Sequence, residues 1–276
     1  MKGDEVMTYK TLEFERRGAI GLLTLNRPER LNALSLELFT ELRHFFASLM
    51  DDFQTRVVII QGKGRVFCAG LDLNDFTTMM SQEHELGRVQ YLYHDLQQAL
   101  SDVFVRMRHA PQPLIAGVRG PAYGGGFAIA LASDVCLAGE SARFQATFIR
   151  IGLSACDCGS SYFLPRLIGL SRAAEYLFTG RSMDAATAER FGLVSRVVPD
   201  DQVEVVALEL AQEMLLNSPF GLRMTKEVLN QNIDATSLEA AIQLENLTQG
   251  LCLTTEDAKE GPRAFLEKRA PIYHDH

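Results

Sequence analysis

Three consecutive glycines, Gly124–Gly126, lie in the apolar stretch GPAYGGGFAIALASDV, and no ionisable side chain follows them before Asp134. Glycine destabilises a helix, so a helix that begins on three glycines needs a further reason for them. Unpaired N–H groups at a helix start suit an anion, or an oxygen that becomes negative during a reaction. No Lys-Ser/Thr pair follows, which excludes a phosphate-binding P-loop. Close packing or a tight turn is the alternative explanation.

A second segment, GKGRVFCAGLDL (Gly62–Leu73), also follows a predicted strand and has the small residues Ala69 and Gly70 at its carboxyl end. Ligands of open α/β sheets bind outside the carboxyl ends of the strands. Two backbone N–H donors, one from each segment, could therefore converge on one oxygen. The alternative is that the Cys-Ala-Gly sequence forms another tight turn.

Apolar runs alternate with helical patterns along the first 200 residues, which favours an α/β fold with crossover connections. Buried strands are predicted for Ala19–Leu25, Arg56–Gly62, Pro113–Gly120, Asp134–Gly139 and Gly192–Asp201. Ser35 is expected to cap the first helix. Spacings of three and four predict one long amphipathic helix with the apolar face Leu86, Val89, Tyr93, Leu96, Leu100, Val103 and Met107. Only helical patterns follow: Gln202–Asn217, Phe220–Asn230, Ser237–Gly250 and Asp257–Lys268.

The overall composition excludes several classes of protein. The 276 residues are 47% hydrophobic and 22% charged, as in ordinary globular domains, and the net charge of −8 argues against a nucleic-acid partner. Five scattered cysteines predict neither a disulfide framework nor a metal site. The start MKGDEVMTYK has no apolar signal core, and no apolar run reaches the roughly 20 residues that span a bilayer. A cytoplasmic protein without a membrane partner is expected.

Five segments in register resemble the crotonase, or enoyl-CoA hydratase/isomerase, superfamily. They are NRPERLNAL (Asn26–Leu34), FCAGLDL (Phe67–Leu73), GPAYGGGFAIAL (Gly120–Leu131), TGRSMDAATAERFGLVSRVV (Thr179–Val198) and AFLEKRAPIY (Ala264–Tyr273). The resemblance implies a crotonase-like spiral of ββα units over residues 1–200 and a helical oligomerisation region over residues 201–276. It also implies a homotrimer or hexamer, acyl-CoA thioester substrates, no metal, and no cofactor beyond the CoA that the substrate carries.

Matched residue by residue, the resemblance assigns a thioester site. The backbone N–H groups of Ala69 and Gly125 would form an oxyanion hole, in which the loss of one donor costs roughly 10²–10³-fold in rate. Other matched positions would line the path of CoA or reach it from the C-terminal region: Arg30, Leu31, Leu71, Asp72, Leu73, Phe265 and Lys268. For the charged Arg30 and Lys268, a solvated surface position is the alternative.

The sequence departs from the family at both usual catalytic glutamates. Ala128 stands three residues after the middle glycine, and Phe148 stands four residues before Gly152. Neither side chain can transfer a proton, whereas hydration of an enoyl thioester needs both a base and an acid. The usual pair of acid/base groups is therefore missing.

Asp157, in the loop SACDCGSS (Ser154–Ser161), resembles the loop aspartate of dienoyl-CoA isomerases, although this loop is one residue longer. A carboxylate against an apolar pocket suits acid/base work, and capping of the next helix is the alternative role. Arg150 could pair with Asp157, bind an acyl carboxylate or lie at the surface. Cys156 and Cys158 could be nucleophiles, but without a nearby histidine in sequence they are expected to be buried, inert thiols.

The resemblance and these residues predict an acyl-CoA enzyme of the enoyl-CoA hydratase/isomerase family that stabilises a thioester enolate, with Asp157 as the candidate side chain for proton transfer. The first alternative is an enoyl- or dienoyl-CoA isomerase, or a thioester hydrolase, with a single acid/base group. The second is a non-catalytic acyl-CoA-binding protein. An oligomer is also expected, because a small appendage cannot bury the apolar positions Leu208, Leu210, Met214, Leu215 and Leu229.

Overall fold

The structure of the chain, a computed structural model, describes residues 9–81 and 87–276. The absence of a signal core, which concerns residues 1–8, and the helix position of Leu86 lie outside the described residues. No helix in the part that the structure describes is both long and apolar enough to cross a membrane.

A six-stranded sheet forms the centre of the fold. Its strand order is β1 (Leu12–Arg17), β2 (Ile20–Leu25), β3 (Val57–Gly62), β4 (Leu114–Val118), β6 (Val135–Gly139) and β9 (Arg196–Val198). β1 and β2 are antiparallel, and every later pair in this order is parallel. Parallel neighbours need crossover connections, which the helices between them provide. The predicted α/β class is confirmed, and each of the five predicted strands contains an observed strand.

A second, three-stranded sheet consists of β5 (Pro121–Tyr123), β7 (Arg143–Gln145) and β8 (Met183–Asp184). Its strands have only two or three residues, too few for a period-two pattern to be recognised. β1 was also missed, because one residue at its start is buried while the rest of the strand is exposed. The three strands of this second sheet and the edge strand β1 were therefore not predicted from the sequence.

Helices cover the sheets and fill the C-terminal region. They are α1 (Leu36–Ser48), α2 (Leu73–Ser81), α3 (Arg88–Gln90), α4 (Gln98–His109), α5 (Gly125–Ala132), α6 (Ser160–Ile168), α7 (Leu170–Thr179), α8 (Ala185–Phe191), α9 (Val203–Leu215), α10 (Pro219–Asn232), α11 (Leu238–Cys252) and α12 (Asp257–Leu266). Ser35 caps α1 as predicted, because its hydroxyl accepts the Leu38 N–H at 3.1 Å.

The long amphipathic helix is confirmed only in part. α3 continues into a π-helical segment, Tyr91–Gln97, before α4 begins. The predicted face is buried from Leu96 onward, but Val89 and Tyr93 are exposed. A π-helical turn contains more residues than an α-helical turn, so the face that points to the core shifts around the axis.

The all-helical C-terminal region begins with a helix that belongs to the core. α9 packs on the sheet, where Ala207 and Ala211 join a buried cluster with residues of β2, β3, β4 and β6. Four of the apolar positions taken to favour an oligomer pack, half-buried, against this cluster: Leu208, Leu210, Met214 and Leu215. Leu229 is 67% exposed, so it alone of the five retains that role. The domain boundary at residue 200 and the oligomer stay predictions.

Candidate active site

Two chain segments run side by side where β5 leads into α5. Cys68 forms an isolated parallel bridge with Ala122. The Cys68 N–H donates to the Pro121 carbonyl at 3.0 Å, and the Tyr123 N–H donates to the Cys68 carbonyl at 2.9 Å. The segment after β3 and the segment before the three glycines are thus neighbours in parallel register, as the sequence suggested.

The same register continues into the glycines and brings the two backbones into contact. Gly70 has φ +93°, and a Cβ there would lie 2.8 Å from the Tyr123 carbonyl oxygen and 3.5 Å from the Gly124 Cα. Only glycine fits this approach and this backbone conformation.

The free backbone donor of the first segment is not the predicted one. The Ala69 N–H donates to the Leu31 carbonyl at 3.0 Å, so this donor is not available to a ligand. Leu71 forms a parallel bridge with Leu34. The Leu34 N–H donates to the Gly70 carbonyl at 2.7 Å, and the Leu34 carbonyl accepts the Asp72 N–H at 3.0 Å. A bridged residue in that position turns its own N–H away from the partner strand. Within residues 9–81 and 87–276, the Leu71 N–H has no acceptor.

The second free donor is at the start of α5, as predicted. Gly124 is the N-cap residue, and Gly125 is the first residue of the helix. The first N–H groups of a helix have no partner within it, and among the described residues no other group accepts the Gly125 N–H. Close packing explains the third glycine, because a Cβ at Gly126 would lie 2.5 Å from the Cys68 Cβ.

The two positions of the missing glutamates lie next to this turn. Ala128 is buried in the first turn of α5, where its N–H donates to the Gly124 carbonyl at 3.0 Å. Phe148, which is 6% exposed, lies in a 3-10 turn, Thr147–Ile151. A Cβ at Gly124 would lie 3.6 Å from the Phe148 Cε1, so an aromatic ring packs where a carboxylate would be expected.

Asp157 lies half-buried in the loop before α6. Its Oδ1 accepts the Gln97 Nε2–H at 2.6 Å and the Cys158 N–H at 2.7 Å, and the Cys158 thiol also bonds the carboxylate. Across the described chain no N–H or hydroxyl group donates to Oδ2. Gly159 is the N-cap of α6, and no side chain caps that helix. The predicted alternative, in which the Asp157 side chain caps the helix, is therefore wrong. Sequence reasoning missed Gln97, which is 60 residues away in the chain and has no motif around it.

The other polar groups of this loop do not join Asp157 as acid/base partners. Arg150 donates through Nε to the Gly180 carbonyl at 3.1 Å and makes no ion pair with Asp157. Burial, and then the adjacent Asp157 carboxylate, hold the pKa of the Cys158 thiol well above its usual range. Burial raises the pKa of Cys68 to about 12. Both thiols remain protonated near neutral pH, which agrees with the inertness expected of Cys158. Cys156 is exposed, so its predicted burial is wrong.

The loop with Arg30 and Leu31, which is expected to line the CoA path, is anchored by a buried asparagine. Asn32 is 0% exposed; its Nδ2 donates to the carbonyls of Lys63 and Val66 at 3.0 and 2.8 Å. This anchoring leaves Arg30 and Leu31 exposed at the tip of the loop. The segment NRPERLNAL contains Asn32, but the carbonyl groups that accept its hydrogen bonds lie in a loop more than thirty residues away in the chain. The anchoring role of Asn32 was therefore missed from the sequence.

The remaining predicted CoA contacts differ in their accessibility. The Asp72 carboxylate is buried and pairs with Arg27 at 3.1 Å, whereas Leu73 is exposed at the start of α2. Phe265 is 83% exposed, and Lys268 is exposed just beyond α12. No ion pair or hydrogen bond of the described residues joins Lys268 to the Asn32 loop.

Comparison with known proteins connects this arrangement to one family. A family model described as "Enoyl-CoA hydratase/isomerase" matches residues 15–276. A Mycobacterium bovis protein named "Probable enoyl-CoA hydratase echA12" is 42% identical over 260 residues, which are 94% of this chain and 90% of that protein.

Two solved structures share the fold. An enoyl-CoA hydratase from Bacillus anthracis superposes with a TM-score of 0.89 at 33% identity, covering 97% of this chain and 100% of that one. A structure titled as a monofunctional enoyl CoA isomerase from M. smegmatis has a TM-score of 0.71 at 40% identity, covering 85% of this chain and 99% of that one.

Proposed function

The chain belongs to the enoyl-CoA hydratase/isomerase family, and we propose that it is an acyl-CoA enzyme that shifts a double bond through a thioester enolate. The observation that carries the proposal is that the N–H groups of Leu71 and Gly125 are uncommitted among the described residues and lie on two segments that pair in parallel at Cys68 and Ala122. The crotonase-like fold agrees with the structural neighbours.

The proposed oxyanion hole consists of the N–H groups of Leu71 and Gly125. Leu71 takes the place of Ala69, whose N–H is already bonded. Both proposed donors belong to the backbone, so they need no reorganisation when negative charge develops on the thioester oxygen. The N-terminal end of α5 adds the partial positive charge of the helix dipole, which favours an enolate there.

Proton transfer in this proposal needs one carrier. The Asp157 Oδ2 takes a proton from carbon 2 of a 3-enoyl thioester; the C–H electrons form the enolate, and negative charge moves to the thioester oxygen. The carboxylic acid then returns the same proton to carbon 4, while the double bond forms between carbons 2 and 3. The substrate keeps its mass and Asp157 regains its charge.

Phe148 and Ala128 favour isomerisation over hydration. Adding water needs one group to activate the water and another to protonate the α-carbon. The buried Phe148 ring and the Ala128 methyl group supply neither function. Hydration is the second candidate, because the Mycobacterium bovis relative is named a probable hydratase. The monofunctional enoyl CoA isomerase shares 40% identity with this chain and supports the first candidate.

Turnover of 2-enoyl- and 3-enoyl-CoA thioesters of several chain lengths, followed by mass spectrometry and absorbance, tests the proposed function. We expect a product of unchanged mass with the absorbance of a conjugated thioester. A gain of one water would indicate hydration, and release of free CoA would indicate hydrolysis. Tight binding of the enolate analogue acetoacetyl-CoA without turnover of any thioester would indicate a non-catalytic acyl-CoA-binding protein.

Binding of CoA and assembly complete the proposal. The exposed Arg30 and Leu31 would line the CoA path beside Leu71 and Leu73. The ion pair of Asp72 with Arg27 would hold these segments in place. The exposed Phe265 and Lys268 would reach CoA, in the same subunit or in a neighbour of a trimer or hexamer. Exposed apolar side chains on α10–α12 support such an assembly: Leu229, Ile233, Leu238, Ile242, Leu247, Leu251 and Phe265. Cytoplasmic localisation stays a prediction.

A further inference from the structure

We infer that Gln97 is a positioning residue for Asp157, an inference that rests on the proposed function. The side-chain amide of Gln97 holds one carboxylate oxygen, so that the other oxygen alone carries the proton. Gln97 acts through Asp157 and does not exchange a proton itself, because a carboxamide has no titratable group near neutral pH.

The hydrogen bonds divide the two oxygens of Asp157 unequally. Oδ1 accepts two N–H groups, from Gln97 at 2.6 Å and from Cys158 at 2.7 Å. A carboxylate oxygen has two lone-pair sites in its plane, so Oδ1 is saturated. Within the described part of the chain, no N–H or hydroxyl group donates to Oδ2, and the Cys158 thiol, which bonds the carboxylate, is only a weak donor. Oδ2 is therefore the oxygen to which this inference assigns the substrate proton.

Both donors come from backbone that is held in place. Gln97 ends the π-helical segment Tyr91–Gln97, next to the buried Leu96 and one turn before the buried Leu100. π-helical turns are rare and are frequent at functional sites. On the other side, Cys158 is buried with φ +51° and immediately precedes the N-cap of α6.

The hydrogen bond from Gln97 restricts rotation of the Asp157 carboxylate. Without it, one backbone N–H would be the only donor to Oδ1, and the group could rotate and exchange its two oxygens. Proton transfer from carbon depends steeply on the approach of the base, so such rotation lowers the rate while leaving substrate binding to the backbone donors. A loss confined to kcat is the expected signature of this role.

Two substitutions test the role of Gln97. Gln97→Glu keeps the shape but replaces the donor with an oxygen that repels Asp157, and Gln97→Leu removes the donor. We expect each variant to lower kcat for the isomerised thioester by about 10-fold and to leave KM unchanged. Gln98→Leu is the matched control, because the adjacent Gln98 contacts His94 at 3.1 Å and not Asp157. It should keep the parental kinetics.

A double-mutant comparison separates this inference from the proposed function. In an Asp157→Asn background, Gln97→Leu should cause no further loss, because its target no longer carries a proton. Three results would overturn the role of Gln97 and leave that of Asp157 intact. They are an equal loss of kcat from Gln97→Leu in the parental and Asp157→Asn backgrounds, a rise in KM alone, and parental kinetics of both Gln97→Glu and Gln97→Leu. Parental turnover by Asp157→Asn alone would overturn the proposed function, and the role of Gln97 with it. Thermal unfolding midpoints check that each variant is folded.

Discussion

Substituting Asp157 by asparagine tests the proposed chemistry with little change to the structure. The asparagine Oδ1 can accept the same two N–H groups, from Gln97 and Cys158, that Asp157 Oδ1 accepts at 2.6 and 2.7 Å. Its amide nitrogen takes the place of Oδ2, the oxygen to which no N–H or hydroxyl group of the described residues donates. Fold and acyl-CoA affinity should therefore persist, since the proposed oxyanion donors are backbone groups.

The expected loss is in the chemical step. A positioned acid/base group contributes roughly 10²–10⁴-fold, or about 3–5 kcal/mol of transition-state stabilisation. The assay follows formation of the conjugated thioester by absorbance, with calorimetric titration of acetoacetyl-CoA as the measure of binding. We expect kcat of the Asp157→Asn variant to fall by roughly 10²–10⁴-fold with nearly unchanged affinity for acetoacetyl-CoA.

A second carboxylate serves as the matched control. Asp234 bonds Tyr162 and Arg166 on the outer side of α6, so Asp234→Asn removes a charge without contact to Asp157. This control should retain parental kcat. If Asp157→Asn turned over its best substrate at the parental rate, the carboxylate would not carry the proton and the reasoning from Oδ2 would be wrong.

Three further predictions follow from the packing, the thiols and the exposed surface. Gly126→Ala should lower the free energy of unfolding by about 1–3 kcal/mol, because its methyl group would lie 2.5 Å from the Cys68 Cβ; urea denaturation showing parental stability would contradict this. Iodoacetamide at pH 8 should modify the exposed Cys156 well before Cys158, whose pKa is raised well above its usual range by burial; peptide mass mapping showing equal rates would refute the assignment. Light scattering at micromolar concentration should show a trimer or hexamer; a monomer would leave Leu229 and its exposed neighbours without a partner surface.

The strands and helices with strong local patterns were predictable from the sequence. The five predicted strands carry apolar runs bounded by turn residues, and Ser35 lies three residues before the N–H that it caps, so local sequence patterns were enough to identify them. The π-helical segment Tyr91–Gln97 was not predictable, because its apolar spacing is also compatible with a regular α-helix. Strands of two or three residues, such as Met183–Asp184, form because a neighbouring strand pairs with them.

The sequence by itself determined which chemical groups are present: the glycine turn, the segment after β3, and Ala128 and Phe148 in place of two glutamates. Side-chain chemistry and backbone freedom are properties of individual residues, so composition and register suffice to establish them. Only the tertiary structure decided which of these groups are free to act. The Ala69 N–H donates to the Leu31 carbonyl, whereas the Leu71 N–H has no acceptor among the described residues, because a hydrogen bond depends on how segments distant in the chain pack together. The bond between Gln97 and Asp157, across 60 residues, arises for the same reason.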